Sequence, residues 1–274
     1  MNPGRQRWSG GIGLALAAML IWGRDTRWMT APADTLPLAL GLPLAYVLGR
    51  PWQLGNQPLP PSMRILAAVG GIVFAGGWII GNLTLLALSW TLLAIIWVKG
   101  TFTSQARRGR LAWVLLLSFP WLVLEWQGLG WAYRLSSATV AEQIFRLMQL
   151  PTQRAGTLIE VLGVPISIEA SCAGWNLLQL TLLAGVALGT QEIRSTRRFA
   201  LLLCLIPGIA WLANLLRILI LSGIALSCDA EAASGAIHGL TGLVILGAVL
   251  FMTKGLCFLL NPPPQTTSRM IKAP

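Results

Sequence analysis

Acidic residues are scarce in this chain: nine Asp and Glu in 274 residues, against 20 Lys and Arg. Charged residues of both signs together make up only 11%, too few to cover a soluble domain of this length. Histidine occurs once, and the four cysteines include no CxxC pair. The spacing that zinc requires is therefore missing, and neither a metal nor a cofactor is expected. The net charge of +11 does not indicate nucleic acid. The basic residues are scattered over short loops, and no basic stripe with interleaved aromatics occurs. Arg5 and Arg7 precede an apolar stretch, yet no small-x-small site leads from it into a soluble domain. This segment is expected to be an uncleaved first helix.

What the chain has in quantity is apolar sequence: 55% hydrophobic residues and a mean hydropathy of +0.69. Runs close to the ~20 residues that cross a bilayer occupy roughly 8–23, 36–49, 65–80, 82–98, 111–126, 173–189, 199–226 and 237–260. They are continuous rather than alternating, which selects helices over a barrel. The expected fold is all-α, a polytopic membrane bundle of about eight transmembrane helices. Pro37 and Pro43 in the second run are tolerable inside a bundle. Trp8, Trp22, Trp97, Trp113 and Trp126 stand near run ends, where tryptophan anchors at the interface. Three regions follow: N-terminal transmembrane helices over 1–126, a core of one outer loop plus three transmembrane helices over 127–260, and a flexible cytoplasmic tail over 261–274.

The loops set the orientation. With the N-terminus inside, most of the 20 basic residues fall on the inner side. The outer segments hold Arg24, Arg27, Arg134, Arg146 and Arg154, and Glu192 is the one inner acid. The expected location is the plasma (cell inner) membrane, multi-pass, with both termini cytoplasmic. The long loop over 127–170 is then extracytoplasmic. Within it, Val140, Ile144, Leu147 and Met148 have the spacing of an amphipathic helix lying on the membrane surface. The β-branched stretches around Gly163 and Pro165, over 157–169, read as a short hairpin.

This topology brings three reactive residues to the outer face. Cys172 opens the sixth helix and His238 opens the eighth. Arg217 lies in the seventh helix, about 13 Å before its outer end at ~1.5 Å per residue. A cysteine at a helix N-terminus feels the positive end of the dipole, and a nearby Arg favours its thiolate further. A thiolate is the nucleophile for covalent acyl transfer, a histidine can protonate a leaving amine, and an arginine can stabilise the oxyanion. Asn176 and Gln179 share a helix face with Cys172, Asn214 shares one with Arg217, and Thr241 follows His238 by one turn. These polar faces suggest a shared wet cavity.

Plainer readings stay open at this point. Asn and Gln in membrane helices often join helices together. Cys204 and Cys257 fit as small apolar fillers. Cys228, in an outer loop, could pair with Cys172, and His238 could be a simple interface residue. Glu160 and Glu169 read as solvated loop charges. Arg217 is harder to dismiss, because a cation within the membrane is costly.

The stretches Glu169-Ala-Ser-Cys-Ala-Gly174, Asn214-Leu-Leu-Arg-Ile218 and His238-Gly-Leu-Thr-Gly-Leu243 resemble the exosortase/archaeosortase family of membrane transpeptidases. Gln143-Ile-Phe-Arg-Leu-Met148 and the 157–169 hairpin occupy the place before the family's Cys. The likeness covers about 130–255. Ala173 stands where family members more often have Ser, and Ser171 also departs from the usual pattern.

The resemblance implies a membrane cysteine protease/transpeptidase with Cys172 as nucleophile, assisted by Arg217 and His238. Its implied partners are secreted proteins that end in a short signal, a transmembrane helix and a basic tail, together with the lipid bilayer and an unidentified acceptor. Two other classes compete with it. One is a non-enzymatic membrane component of exopolysaccharide assembly or export. The other is a transporter with Arg217 in the substrate path, which would suit a chain with internal repeats; none is evident here.

Overall fold

The computed structural model describes residues 3–29, 32–55, 58–103, 108–168, 175–228 and 235–261. The helices in chain order are α1 (Pro3–Arg24), α2 (Pro32–Leu48), α3 (Pro61–Ile80), α4 (Leu83–Thr101), α5 (Leu111–Leu117), α6 (Trp121–Glu125), α7 (Gln127–Leu147), α8 (Trp175–Glu192), α9 (Thr196–Ser227) and α10 (Gly235–Leu260). Three strands, β1 (Thr152–Ala155), β2 (Leu158–Val161) and β3 (Val164–Ser167), lie between α7 and α8.

Each of the eight apolar runs is helical, the fifth as two short pieces. Pro120 breaks that run, because it has no amide to donate and disfavours helix at the residue before it. Four helices are long and apolar enough to cross a membrane: Pro61–Ile80, Leu83–Thr101, Thr196–Ser227 and Gly239–Leu260. Ser9–Arg24 and Thr35–Leu48 are shorter apolar helices. The chain is a membrane protein by this measure, and a count of eight spans goes beyond what length and composition give.

Polar side chains are spent on helix ends. Asn82 caps α4 by accepting from Leu85 N at 2.8 Å. The Glu125 carboxylate, at the end of α6, accepts from Leu83 N, from Thr84 N and from Thr84 Oγ1. A negative charge thus sits on the positive end of α4 and ties it to α6. At the other end of the bundle, the Arg110 guanidinium donates to the carbonyls of Gly189, Ile193 and Arg194, which close α8.

Helices α8, α9 and α10 pack pairwise against one another. Small residues permit the close approach: a Cβ on Gly185 would fall 2.1 Å from Ile206 Cδ1, and one on Gly189 would fall 2.6 Å from Leu202 Cδ2. Beside them stands a smaller unit built from α7, the sheet and the C-terminal half of α9. Its core holds Ala138, Ala141, Phe145, Ile159, Val161, Ile168, Leu215 and Ile218. The buried Glu142 clips α7 to β1 through Arg154, 2.7 Å away, and also pairs with Arg146 at 2.7 Å. Tyr133 donates to the carbonyl of Pro207 at 3.2 Å, and burial pushes its phenol well above its ordinary range.

The fold carries a three-stranded antiparallel sheet of order β1-β2-β3, so it is not purely helical. The 157–169 stretch does form a hairpin, turning at Leu162 (φ 53°) and Gly163 (φ 80°), but β1 precedes it. The face that α7 buries is Ser137, Ala138, Ala141, Glu142 and Phe145, against α9 and the sheet. Of the expected apolar stripe, Val140 and Ile144 pack against this core, and Leu147 and Met148 are exposed.

Candidate active site

The candidate site lies where the start of α8, the C-terminal half of α9 and the start of α10 come together. Gly185 faces Ile206 and Gly189 faces Leu202, so α8 and α9 are antiparallel in step. Carried upward at ~1.5 Å per residue, that register sets Arg217 level with the start of α8 at Trp175. Cys172 lies outside the described residues, three positions before Trp175 in the chain.

Arg217 is part-buried and reaches toward α10. A Cβ on Gly242 would lie 3.4 Å from Arg217 Nη2 and 3.7 Å from its Cζ. Glycine at 242 therefore leaves room for about one methyl group between the guanidinium and the α10 backbone. Gly242 follows His238 by one helical turn, on the same face. The chain thus brings the Arg217 guanidinium within about one turn of the position of His238 on α10 and level with the first turn of α8. The side chains of His238 and Asn176 lie outside the described residues; the backbone places Asn176 in the first turn of α8 and His238 in the first turn of α10.

This packing makes a prediction. Gly242→Ala adds a methyl at ordinary contact distance and should leave activity near wild type. Gly242→Leu has no room beside the guanidinium and should cost at least about ten-fold in turnover with membrane insertion unchanged. Equal activity of the two variants, read in a processing assay, would contradict the placement of Arg217.

Asn214 is fully buried one turn below Arg217, and among the described residues neither its Oδ1 nor its Nδ2 has a hydrogen-bond partner. An orphaned carboxamide in an apolar helix costs about 1–3 kcal/mol, so its presence calls for an explanation outside the resting fold.

Gln179 does not join this group as expected. Its Nε2 donates to the carbonyls of Leu117 and Phe119, each at 2.9 Å, at the break between α5 and α6. It supplies donors to two carbonyls at the helix break, while Leu116 O, the carbonyl that the missing Pro120 amide would have served, accepts from Trp121 Nε1 at 3.0 Å. Thr241 is buried and returns its hydroxyl to the carbonyl of Ile237 at 2.8 Å. The wet cavity read from sequence thus loses Gln179 to a structural task.

The other thiols are accounted for. Cys204 and Cys228 are free and exposed, and Cys257 is free and buried. Cys172, the partner weighed for Cys228, lies outside the described residues. Among the described residues no group of three His, Cys, Asp or Glu could hold a metal ion.

Comparison with known families gives one match: transmembrane exosortases, over residues 5–255. It extends well beyond the 130–255 region that the three short stretches suggested, into the N-terminal helices. No curated protein and no solved structure matches the chain.

Proposed function

We infer from one premise, that this chain belongs to the transmembrane exosortase family, that it is a membrane-embedded cysteine transpeptidase acting on secreted proteins at the outer face of the plasma membrane. The observation that carries the reading is the Arg217 guanidinium beside Gly242, one turn from His238 and level with the helix that follows Cys172.

In this reading the Cys172 thiolate attacks the carbonyl carbon at the sorting signal of its substrate. Negative charge develops on the carbonyl oxygen, and the Arg217 guanidinium meets it. The tetrahedral intermediate collapses with cleavage of the C–N bond. The leaving amine takes its proton from His238, and the secreted portion stays on Sγ as a thioester. An acceptor nucleophile, deprotonated by His238, then displaces Sγ and releases the product. The substrates are secreted proteins that end in a signal, a transmembrane helix and a basic tail.

Asn214 fits this reading as a residue kept for the substrate, with Asn176 beside the nucleophile as a second supporting amide. A carboxamide offers two donors and two acceptors, the complement of a peptide group. Asn214→Leu should raise the melting temperature by a few degrees, because it removes an unsatisfied amide, while turnover falls by about ten-fold or more. A variant that gains stability and keeps its activity would show that Asn214 has no part in the reaction.

The reading as a whole is tested by expressing the chain with a tail-bearing secreted protein and following loss of the tail. Tail removal should require the chain. Removal at the same rate without it would overturn the assignment.

A further inference from the structure

A second built feature lies away from these residues, among α1, α2, α4 and α5. A cavity of about 310 Å³ opens there, lined almost wholly by apolar side chains. Trp22, Trp52, Trp90 and Trp97 form much of its wall, with Ala18, Ala45 and Leu115. Glycines make room for two of these rings. A Cβ on Gly11 would stand 2.7 Å from the Trp97 ring, and one on Gly49 would stand 2.0 Å from the Trp52 ring. Met19, Leu42 and Tyr46 line the cavity and are also exposed, so it opens sideways on the surface of the bundle.

An apolar cavity of ~150 Å³ stays dry and takes up benzene; twice that volume holds a chain of roughly a dozen carbons. Left empty, its lining atoms would have no dispersion partners on one side. In a bilayer the filler of that shape is an acyl chain.

Charge selects the kind of lipid. The Arg50 guanidinium lies over the Tyr46 ring, 4.9 Å from its centroid. Lys99 directly follows Trp97 and Val98, both of which line the cavity. No Asp or Glu occurs from Thr35 to Leu124, a stretch that carries Arg50, Arg64, Lys99, Arg107, Arg108 and Arg110. Arg110 is committed to the end of α8. Among the described residues no carboxylate pairs with Arg50 or Lys99. A lipid phosphate supplies the anion that this part of the protein does not.

We propose that the cavity binds one acyl chain of an anionic glycerophospholipid, with the phosphate held by Arg50 and Lys99. The site is independent of the chemistry assigned to Cys172, and it holds whether or not that assignment does.

The test uses the full chain purified in detergent and offered equal amounts of phosphatidylglycerol and phosphatidylcholine. Mass spectrometry of the intact protein then counts the retained lipids. One phosphatidylglycerol should survive removal of the micelle, in clear excess over phosphatidylcholine. Each cation near an anionic headgroup contributes about five-fold. The double variant Arg50→Gln, Lys99→Gln should therefore lose most of the preference, with its fold untouched. Ala45→Phe, which fills the cavity, should reduce retention of both lipids. Absence of a retained lipid, equal retention of the two, or a preference that survives the double variant would overturn the proposal.

Discussion

Cys172→Ala should insert into the membrane like the wild type and lose processing of a tail-bearing substrate by about 10⁴-fold or more. Removal of a covalent nucleophile has costs of that order, because the remaining groups act as a unit with it. No other thiol can substitute. Cys228 ends α9, beyond the turn that holds Arg217, and Cys204 lies more than three turns back along the same helix. Cys257 is buried in the last turn of α10, far along the helix from His238. A variant in which Cys204, Cys228 and Cys257 are all Ser should therefore keep its activity and leave Cys172 as the one alkylation target. Normal processing by Cys172→Ala would remove the enzyme reading. It would leave the export-component or transporter alternative in its place.

Arg217→Lys should lose about 10²–10³-fold in kcat although the charge is kept. The argument is geometric. A Cβ on Gly242 would lie 3.4 Å from Arg217 Nη2, and in the proposed reaction the planar guanidinium presents two N–H groups to one developing oxyanion. An ammonium group is compact and strongly hydrated, and cannot offer that fork at the same distance. Loss of a single oxyanion donor has costs of the size expected here. Because this stabilisation acts in the transition state, KM should change little. Full speed in the Arg217→Lys variant would mean that only charge matters at this position, as in a simple anion site. An effect confined to KM would point to substrate binding instead.

The class of the protein was legible because hydropathy is a local property. Eight apolar runs appear as helices, and the break in the fifth follows from Pro120 alone. The neighbourhood of Arg217 was legible for a similar reason. Alternating helix direction is enough to carry a mid-run cation and two helix starts toward one face.

What stayed hidden depends on tertiary partners. Strand β1 reads Thr-Gln-Arg-Ala, with no apolar alternation, and it forms because β2 pairs with it and Glu142 holds Arg154. The apolar stripe of α7 serves two surfaces that spacing does not separate: Val140 and Ile144 pack against the core beside Phe145, and Leu147 and Met148 stay exposed. Gln179 lies on the expected face of α8 by spacing, yet spacing does not tell which neighbour the face meets. The signal that could have pointed to its partner was Pro120, which marks a helix break, and carbonyls at a break need donors from elsewhere, as Leu117 and Phe119 find in Gln179. The isolation of Asn214 is likewise invisible in sequence. A motif can place an amide near an arginine, but only the packed helices show that no neighbour among the described residues answers it.

The central claim is that Cys172 carries the substrate through the reaction. Its most direct measurement is mass spectrometry of the purified protein, acid-quenched during turnover with a peptide that bears the sorting signal. The account predicts an adduct equal to the N-terminal part of the peptide, attached at Cys172, released by hydroxylamine and missing from Cys172→Ala. Cleavage of the peptide without such an adduct, or an adduct that persists in Cys172→Ala, would contradict it.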